Sequence, residues 1–213
     1  MSKEKENLDN NSLKAEERIL KAATEVFAEK GYDAAGIDEI AKRANVTKPL
    51  IYYYFKGKRT ILEEVINRYL KKVVEEKEEY INSMLTFDKE MLYQRFDQRV
   101  GIFRENKKVL QVIAMEMLKE NAIDDSIISN FYQMYDLALP RIEKMGFELE
   151  DQLDIIITSF FFGTLPTMLV TLLGDKFCQF YNLEREELDQ RFFKAMKAIY
   201  IDYIIEYFQK KIK

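Results

Sequence analysis

The chain has 213 residues, of which 33 are basic and 37 are acidic, so its formal net charge is −4. Hydrophobic residues make up 47% of the chain, and the presence of only 3 Pro and 7 Gly argues against a turn-rich all-β fold. The absence of histidine excludes Ser-His-Asp and Cys-His catalytic sites and most zinc sites, and the single cysteine excludes an intrachain disulfide. These features, with a polar N-terminus that lacks the apolar core of a signal peptide, predict a cytoplasmic protein.

The N-terminal region predicts one helix behind a polar arm. Residues 1–11 are polar and predict a disordered arm. The first helix is expected to start near Ser12, because Ile19, Ala23 and Phe27 then recur at helical spacing. Gly31 is expected to end this helix.

Residues 40–62 contain six basic residues and no Asp or Glu, although the whole chain is acidic. A local positive field of this kind attracts polyanions, although solvated basic patches are also common on protein surfaces. The stretch follows Ile37, whose helical spacing with Ile40 and Ala44 predicts a short helix. A second short helix is expected to follow, with the Thr47 hydroxyl capping the amide of Leu50.

The side chains of this second helix divide into two faces. Ile51 and Phe55 are spaced to face inward, whereas Lys48, Pro49, Tyr52 and Tyr53 fall on the other side. Two short helices joined by a tight turn, with a basic and aromatic outer face on the second, predict a helix-turn-helix. In that motif the second helix enters the DNA major groove.

Residues 19–62 resemble the DNA-binding domain of the TetR family of transcriptional regulators. The resemblance rests on Ala23, Phe27, Gly31, Tyr32, Ile40, Ala41, Val46, the run Thr47–Phe55 and Lys58. Two departures are Ala35-Gly36, where Thr or Ser is usual, and Gly57, where Ser or Asn is common. The resemblance covers the first third of the chain and implies an all-helical fold, a homodimer and a ligand pocket in the body.

The DNA-binding domain is expected to span residues 12–57. Phosphate contacts are expected from Thr47, Tyr53, Lys58 and the amides that begin the fourth helix. Base edges are expected to meet Lys48, Pro49, Leu50 and Tyr52. Gly36 starts the second helix on the same surface, but it brings no hydroxyl to a phosphate.

Residues 58–213 are expected to form a helical regulatory and dimerisation domain. Its predicted helices cover 58–82, 88–105, 107–120, 124–145, 151–173 and 184–211, and Pro166 should bend the helix that contains it. Nothing in this region resembles a phosphate loop or a dinucleotide fingerprint, so we expect no cofactor and no enzymatic activity.

The run Ile155–Leu173 is almost uncharged and long enough to suggest a membrane span. A helix that is apolar all round is also expected where one side meets its own core and the other meets a partner. The last helix carries two neighbouring apolar stripes, more than one core requires, so we expect a dimer and no membrane contact. The predicted interface residues are Leu165, Leu169, Phe192, Met196, Ile199 and Tyr203.

Large side chains are concentrated in the middle of the body. They predict either an ordinary core or, as the resemblance implies, a pocket for a small apolar effector. The candidate pocket residues are Phe96, Phe103, Gln111, Met115, Glu116, Phe131, Tyr135, Phe160 and Phe161. If Glu116 faces the pocket, it would favour a ligand that carries a cation or a hydrogen-bond donor.

The sequence therefore predicts a homodimeric transcriptional regulator, most simply a repressor that a small apolar ligand releases from a palindromic operator. The alternative is a DNA-binding protein without an inducer, whose body serves only dimerisation or protein partners. A closed cavity in the body would favour the first hypothesis, and a solid core would favour the second.

Overall fold

The computed structural model of the chain describes residues 2–83, 89–119 and 151–209, with a few positions between 136 and 144. Regular structure within these ranges is helical, without any strand, which confirms the predicted all-α fold. The predicted helix at 124–145 falls largely outside these ranges. The helices are α1 (Ser2–Ala34), α2 (Ile37–Ala44), α3 (Lys48–Tyr54), α4 (Lys58–Ser83), α5 (Lys89–Glu105), α6 (Lys107–Met117), α7 (Gln152–Tyr181) and α8 (185–209).

The chain divides into two compact units. The first comprises Met1–Val73 and Gln111–Ile127, and the second comprises Val74–Leu110 and Ile128–Lys213. The predicted boundary after residue 57 therefore differs from this division. The difference arises because the first half of α4 and the C-terminal half of α6 pack with α1 to α3.

Helix α1 forms the back of the first unit. It begins at Ser2, so the segment predicted as a disordered arm continues the helix in this structure. The helix bends at Gly31, whose φ of 77° lies in a region that favours glycine, and it ends three residues later. Its inward face buries Ile19, Ala23, Val26 and Phe27, as the apolar spacing predicts, and α1 packs against α2.

The core of the second unit lies where α5 meets α8. Phe96 and Val100 of α5 pack against Met196 and Ile201 of α8, and all four side chains are buried. A second buried cluster joins Leu139, Ile155 of α7 and Ile204 of α8. These apolar contacts fix the three helices against one another.

Helices α7 and α8 each contain one π-helical turn, at Thr158–Thr164 and Lys197–Ile201. The turn in α7 directly precedes Pro166, which has no N–H to bond to the preceding turn. The wider turn accommodates the proline that the sequence predicts will bend the helix. The two π-helical turns pack on each other, and the ring of Tyr200 lies where a β-carbon on Gly163 would sit, 2.7 Å from Cζ.

A charged cluster joins the end of α7 to the start of α8. The Arg185 guanidinium donates to Asp175 at 2.7 Å, to Asp189 at 3.1 Å and to the carbonyl of Val170 at 3.1 Å. Lys107 also donates to Asp175, and this hydrogen bond lowers the pKa of the Asp175 carboxyl. Arg185 contacts the carboxylates of both Asp175 and Asp189, so the cluster stabilises the junction between α7 and α8.

Helix α7 is long and apolar enough to cross a membrane by length and composition alone. One such helix is weak support for a membrane span, because the helices of soluble proteins share these properties. Only 33% of its most apolar window is buried, so most of this surface faces outward from the protomer. An apolar surface of this kind suits a protein partner.

Candidate functional site

The turn between α2 and α3 is built from local backbone bonds. Helix α2 ends at Asn45, which adopts the left-handed conformation with φ 52°. The amide of Asn45 donates to the carbonyl of Lys42 at 3.3 Å, and the amide of Val46 donates to that of Ala41 at 3.0 Å. These bonds close the helix and direct the chain into α3, so the predicted helix-turn-helix is present.

Helix α3 shows the two faces that its sequence predicts. Ile51 and Phe55 are buried beneath it. Tyr52 and Tyr53 are exposed on the opposite side, where the edge of the Tyr53 ring packs on Tyr54 with centroids 5.1 Å apart. The exposed residues of this side, which we call the α3 face, are Thr47, Lys48, Pro49, Tyr52 and Tyr53, with the half-buried Leu50 beside them.

The predicted hydroxyl cap of α3 is wrong, although Thr47 does occupy the position before the helix. Its side chain makes no capping bond. The Thr47 carbonyl instead accepts from the amide of Leu50 at 3.0 Å and from that of Ile51 at 3.3 Å. The hydroxyl therefore does not serve the helix. Gly36 likewise begins α2 without a side-chain cap.

Two basic residues near α3, Arg43 and Lys48, are paired with acidic residues that lie elsewhere in the first unit. Lys48 donates to Asp38 of α2, with Nζ 2.8 Å from Oδ1, and this hydrogen bond raises the pKa of the Lys48 ammonium. Arg43 binds both carboxylate oxygens of Glu29, at 2.6 and 2.9 Å. The positive stretch seen in the sequence is thus partly neutralised in the folded unit.

We expect Asp38→Asn to strengthen binding to random DNA about two- to fivefold, because it releases Lys48 and removes an exposed negative charge beside the α3 face. The affinity for a specific site should rise less, so the ratio of specific to random binding should fall. Fluorescence anisotropy at several salt concentrations measures both affinities. Glu64→Gln is the matched control, since Glu64 pairs with Arg68 at 2.6 Å outside α2 and α3. Equal effects of the two changes would show that Asp38 does not restrain Lys48.

Lys58 closes the C-terminal end of α1. Its ammonium donates to the carbonyls of Tyr32 at 2.7 Å, Asp33 at 3.1 Å and Ala35 at 2.8 Å. It also lies 4.5 Å from the centre of the Tyr32 ring. These contacts join the start of α4 to the end of α1, and they use all three ammonium donors. The predicted phosphate contact of Lys58 stays a prediction, and the contacts with α1 were not foreseen from the sequence.

The C-terminal part of α6 packs on the same end of α1 within the first unit. The Gln111 amide donates to the carbonyl of Ala28 at 2.8 Å, and Met115 lies against Gly31. Lys119 then pairs with Asp33 at 2.8 Å and with Glu116 at 2.9 Å. This contact surface joins residues that are more than 80 positions apart in the sequence.

Glu116 is buried and already paired, so the ligand-binding role that the sequence suggested for it stays a prediction. Its side chain is buried, with 2% of the residue exposed, but its charge is balanced by Lys119. A buried carboxylate that already has a cationic partner does not require a cation from a ligand. The predicted preference for a cationic ligand therefore has no support in this geometry.

The predicted pocket residues divide between the two compact units. Gln111, Met115 and Glu116 belong to the first unit, and the described members of the second unit are Phe96, Phe103, Phe160 and Phe161. Phe131 and Tyr135 lie outside the described residues. Phe96 and Phe103 are buried, Phe160 is half-buried, and Phe161 is mostly exposed. The pocket stays a prediction.

The predicted interface residues lie on outward surfaces of α7 and α8, with one exception. Leu169, Ile199 and Tyr203 are exposed, and Leu165 and Phe192 are half-buried. Met196 is only 6% exposed because it packs against Phe96 and Val100, so it belongs to the core of its own protomer. The exposed apolar residues of α7 that were not predicted are Leu153, Ile157, Phe162, Leu173, Phe177, Phe180 and Tyr181. Within this list, Leu153, Ile157 and Phe162, and then Leu173, Phe177 and Phe180, are spaced by three to five residues, which is a pattern visible in the sequence.

Comparison with known proteins agrees with the helix-turn-helix in the N-terminal region of the chain, residues 12–57, which we call the head. Residues 19–65 match the family described as bacterial regulatory proteins, tetR family. The chain is 44% identical over 71 residues to the HTH-type transcriptional activator FasR of Mycolicibacterium smegmatis, which covers 32% of this chain and 32% of that protein. The chain therefore spans about a third of the length of that relative.

Two further similarities extend into the body. The chain is 28% identical over 159 residues to the fatty acid metabolism regulator protein of Bacillus subtilis, covering 72% of this chain and 81% of that protein. The fold resembles the crystal structure of the transcriptional regulator FadR from Bacillus subtilis in complex with stearoyl-CoA. The TM-score is 0.65 at 20% identity, with 85% of this chain and 97% of that chain covered.

The matched family and both relatives are transcriptional regulators, which confirms the prediction that this chain is not an enzyme. The sequence match over residues 19–65 agrees with the helix-turn-helix that the structure shows there. Residues 19–65 therefore match the DNA-binding region of the TetR family of transcriptional regulators.

Proposed function

We propose that this protein is a homodimeric repressor that binds a palindromic operator in the cytoplasm and leaves it when a small apolar ligand binds. The observation that carries the DNA-binding part is the exposed α3 face above the buried Ile51 and Phe55. A helix anchored in this way can enter a major groove without losing its own core. Lys48, Pro49, Leu50 and Tyr52 would then meet base edges, and Thr47, Tyr53 and Lys58 would meet phosphates.

Dimerisation would supply a second copy of α3 for the second half-site of the DNA. The exposed apolar surface of α7 and α8 supports a two-fold interface, because it would otherwise leave residues such as Leu169 and Ile199 in water. A two-fold dimer presents two copies of α3, which suits half-sites about 34 Å apart along the DNA. The proposed operator is therefore an inverted repeat.

The ligand would act through the helices that contribute to both units. Residues of α4 and α6 fall in each of them, so both helices connect the body to the head along the chain. A ligand lowers DNA affinity only if it binds the DNA-free geometry more tightly. The 28% identity with a fatty acid metabolism regulator over most of its length supports a ligand with a long hydrocarbon chain.

The alternative, a regulator without an inducer, has its own support in the structure. Phe96 and Phe103 were candidates for the pocket wall, but both are buried, and Phe96 lies in a packed cluster. A solid core at that place would favour a body that serves dimerisation only.

Transcription in vitro from a promoter that overlaps a DNA site bound by the protein tests the proposal. Added protein should lower transcript yield, and a long-chain lipophilic ligand should restore it. A rise in transcript on adding the protein would identify an activator, as the name of the mycobacterial relative states for that protein. Repression that no lipophilic compound relieves would favour the regulator without an inducer.

A further inference from the structure

The side chain of Arg99 in α5 is incompletely hydrogen-bonded among the residues that the structure describes. Its Nε is buried and has no hydrogen-bond partner, and over the part of the chain that the structure describes no other buried side-chain nitrogen or oxygen shares this condition. Other arginines of the second unit are paired, Arg104 with Asp189 and Arg191 with Glu187. A buried donor without an acceptor costs free energy, so Arg99 calls for an explanation.

Two aromatic rings hold the Arg99 guanidinium in place. Its central carbon lies 5.2 Å from the ring centre of Phe96 and 5.7 Å from that of Tyr200. Tyr200 is itself fixed, because its ring packs directly on the backbone of Gly163. Cation–π contacts with the rings stabilise the faces of a guanidinium, but the N–H groups along its edge still require hydrogen-bond acceptors.

The acidic side chains near this site are already engaged. Asp97 pairs with Lys197 at 3.7 Å, and Asp202 pairs with Lys89 at 2.7 Å. Asp202 also accepts from the hydroxyl of Tyr93 at 3.3 Å. These two carboxylates therefore already have cationic partners other than Arg99.

The rest of the setting is apolar and contains the two irregular turns of the body. The residues around Phe96 are Val100, Met196 and Ile201, with Leu92 and Tyr93 packed against them. The π-helical turns at Thr158–Thr164 and Lys197–Ile201 meet beside Arg99 through Gly163 and Tyr200. Such turns occur frequently at functional sites.

We propose that Arg99 receives the anionic head group of an amphipathic ligand, a carboxylate or phosphate joined to a hydrocarbon chain. A guanidinium that lies over two rings and has a buried Nε without an acceptor is organised in advance to donate along its edge to such an anion. The assignment rests on the proposed ligand-responsive function and names the chemical class of the effector. It also reverses the preference for a cation that Glu116 suggested.

The test compares four C12 compounds that differ in the head group: dodecanoate, dodecyl phosphate, dodecanoyl-CoA and dodecanol. Calorimetry and thermal shift on the full-length protein measure their binding. Wild-type protein should bind at least one anion more tightly than the alcohol. Arg99→Met should weaken that anion about 10- to 100-fold, the effect of losing a charge-assisted hydrogen bond, and leave the alcohol unchanged. The anion most affected identifies the head group.

Two further variants make the result specific. Arg191→Met removes an exposed arginine of α8 and should change none of the four affinities. Arg99→Lys keeps the charge and most of the volume, so it should retain part of the preference for anions and provides a folded variant if Arg99→Met is insoluble. If Arg191→Met weakens anion binding as much as Arg99→Met does, the assignment to Arg99 is wrong.

The remaining outcomes separate this inference from the proposed function. If anion and alcohol bind equally and both release DNA, the ligand-responsive function stands and the role of Arg99 is wrong. If Arg99→Met lowers the melting temperature but leaves the preference for anions intact, Arg99 is a structural residue stacked between two rings. If no compound binds wild-type protein, both the role of Arg99 and the lipophilic inducer are wrong, while DNA binding is unaffected.

Discussion

Replacing Ile199 and Tyr203 together by Glu is expected to convert the protein to monomers and to weaken operator binding about 10²- to 10⁴-fold. Both side chains are exposed in the protomer, at 64% and 49%, so the change should leave its fold intact. In the proposed interface the same positions would place four carboxylates in an apolar contact without partners. The loss of DNA affinity follows because two linked heads bind a repeat far more tightly than one. Sedimentation velocity and anisotropy measure the two effects.

The control for this prediction is Lys194→Glu, which also adds negative charge to an exposed position of α8. It should remain dimeric, because Lys194 is not part of the proposed interface. Met196→Glu should behave differently from both, since Met196 is buried against Phe96 and a charge there should unfold the protomer. A double variant that sediments as a dimer would place the interface elsewhere on the protein.

Lys58→Ala is expected to lower both the stability of the head and its affinity for every DNA sequence. The ammonium donates to three carbonyls at the end of α1, at 2.7, 2.8 and 3.1 Å, and a charged hydrogen-bond network of this kind is worth about 2 kcal/mol. The melting temperature should therefore fall by about 4 to 8 °C. If Lys58 exchanges one of these carbonyls for a phosphate when DNA binds, Lys58→Ala should reduce the slope of log affinity against log salt by about one.

The two readouts distinguish the two roles of Lys58. Lys56→Ala removes the same side chain from an exposed position two residues away and should leave the melting temperature unchanged. A lower melting temperature with an unchanged salt slope would show that Lys58 only joins α4 to α1. An unchanged melting temperature would show that its bonds to the carbonyls do not stabilise the head.

The head was predictable because its determinants lie close together in the sequence. The spacing of Ile51 and Phe55 fixes which side of α3 is buried, and the turn before it contains only a few residues. Family resemblance then identified the motif. The pattern did not predict the hydrogen bonds at the start of α3. There the Thr47 carbonyl, and not its hydroxyl, accepts from the first backbone amides of the helix.

The charged contacts could not be predicted because they join distant positions. Lys119 binds Asp33 across 86 residues, and Lys58 binds the carbonyl of Tyr32 across 26. Periodicity shows that Glu116 interrupts an apolar run, but it does not show which cation lies beside it. The same limitation hid the unpaired Nε of Arg99, because an absent partner is visible only once the surrounding helices are placed.

The interface prediction failed at one position for a related reason. Met196 and Ile199 lie on neighbouring stripes of the same helix, and both stripes are apolar. Only the position of α5 decides that Met196 faces the core of the protomer while Ile199 faces outward. The π-helical turn that starts at Lys197 changes the direction in which the following side chains point. No residue type in that turn predicts it from the sequence.

The most direct test of the account is selection of bound DNA from a random pool with the full-length protein. We expect enrichment of an inverted repeat whose half-site centres lie about one helical turn, or 34 Å, apart. Tyr52→Ala should reduce that enrichment while binding to random DNA persists, since Tyr52 is exposed on the α3 face. Enrichment of an unrepeated motif, or of none at all, would contradict the claim that a two-fold dimer reads DNA through α3.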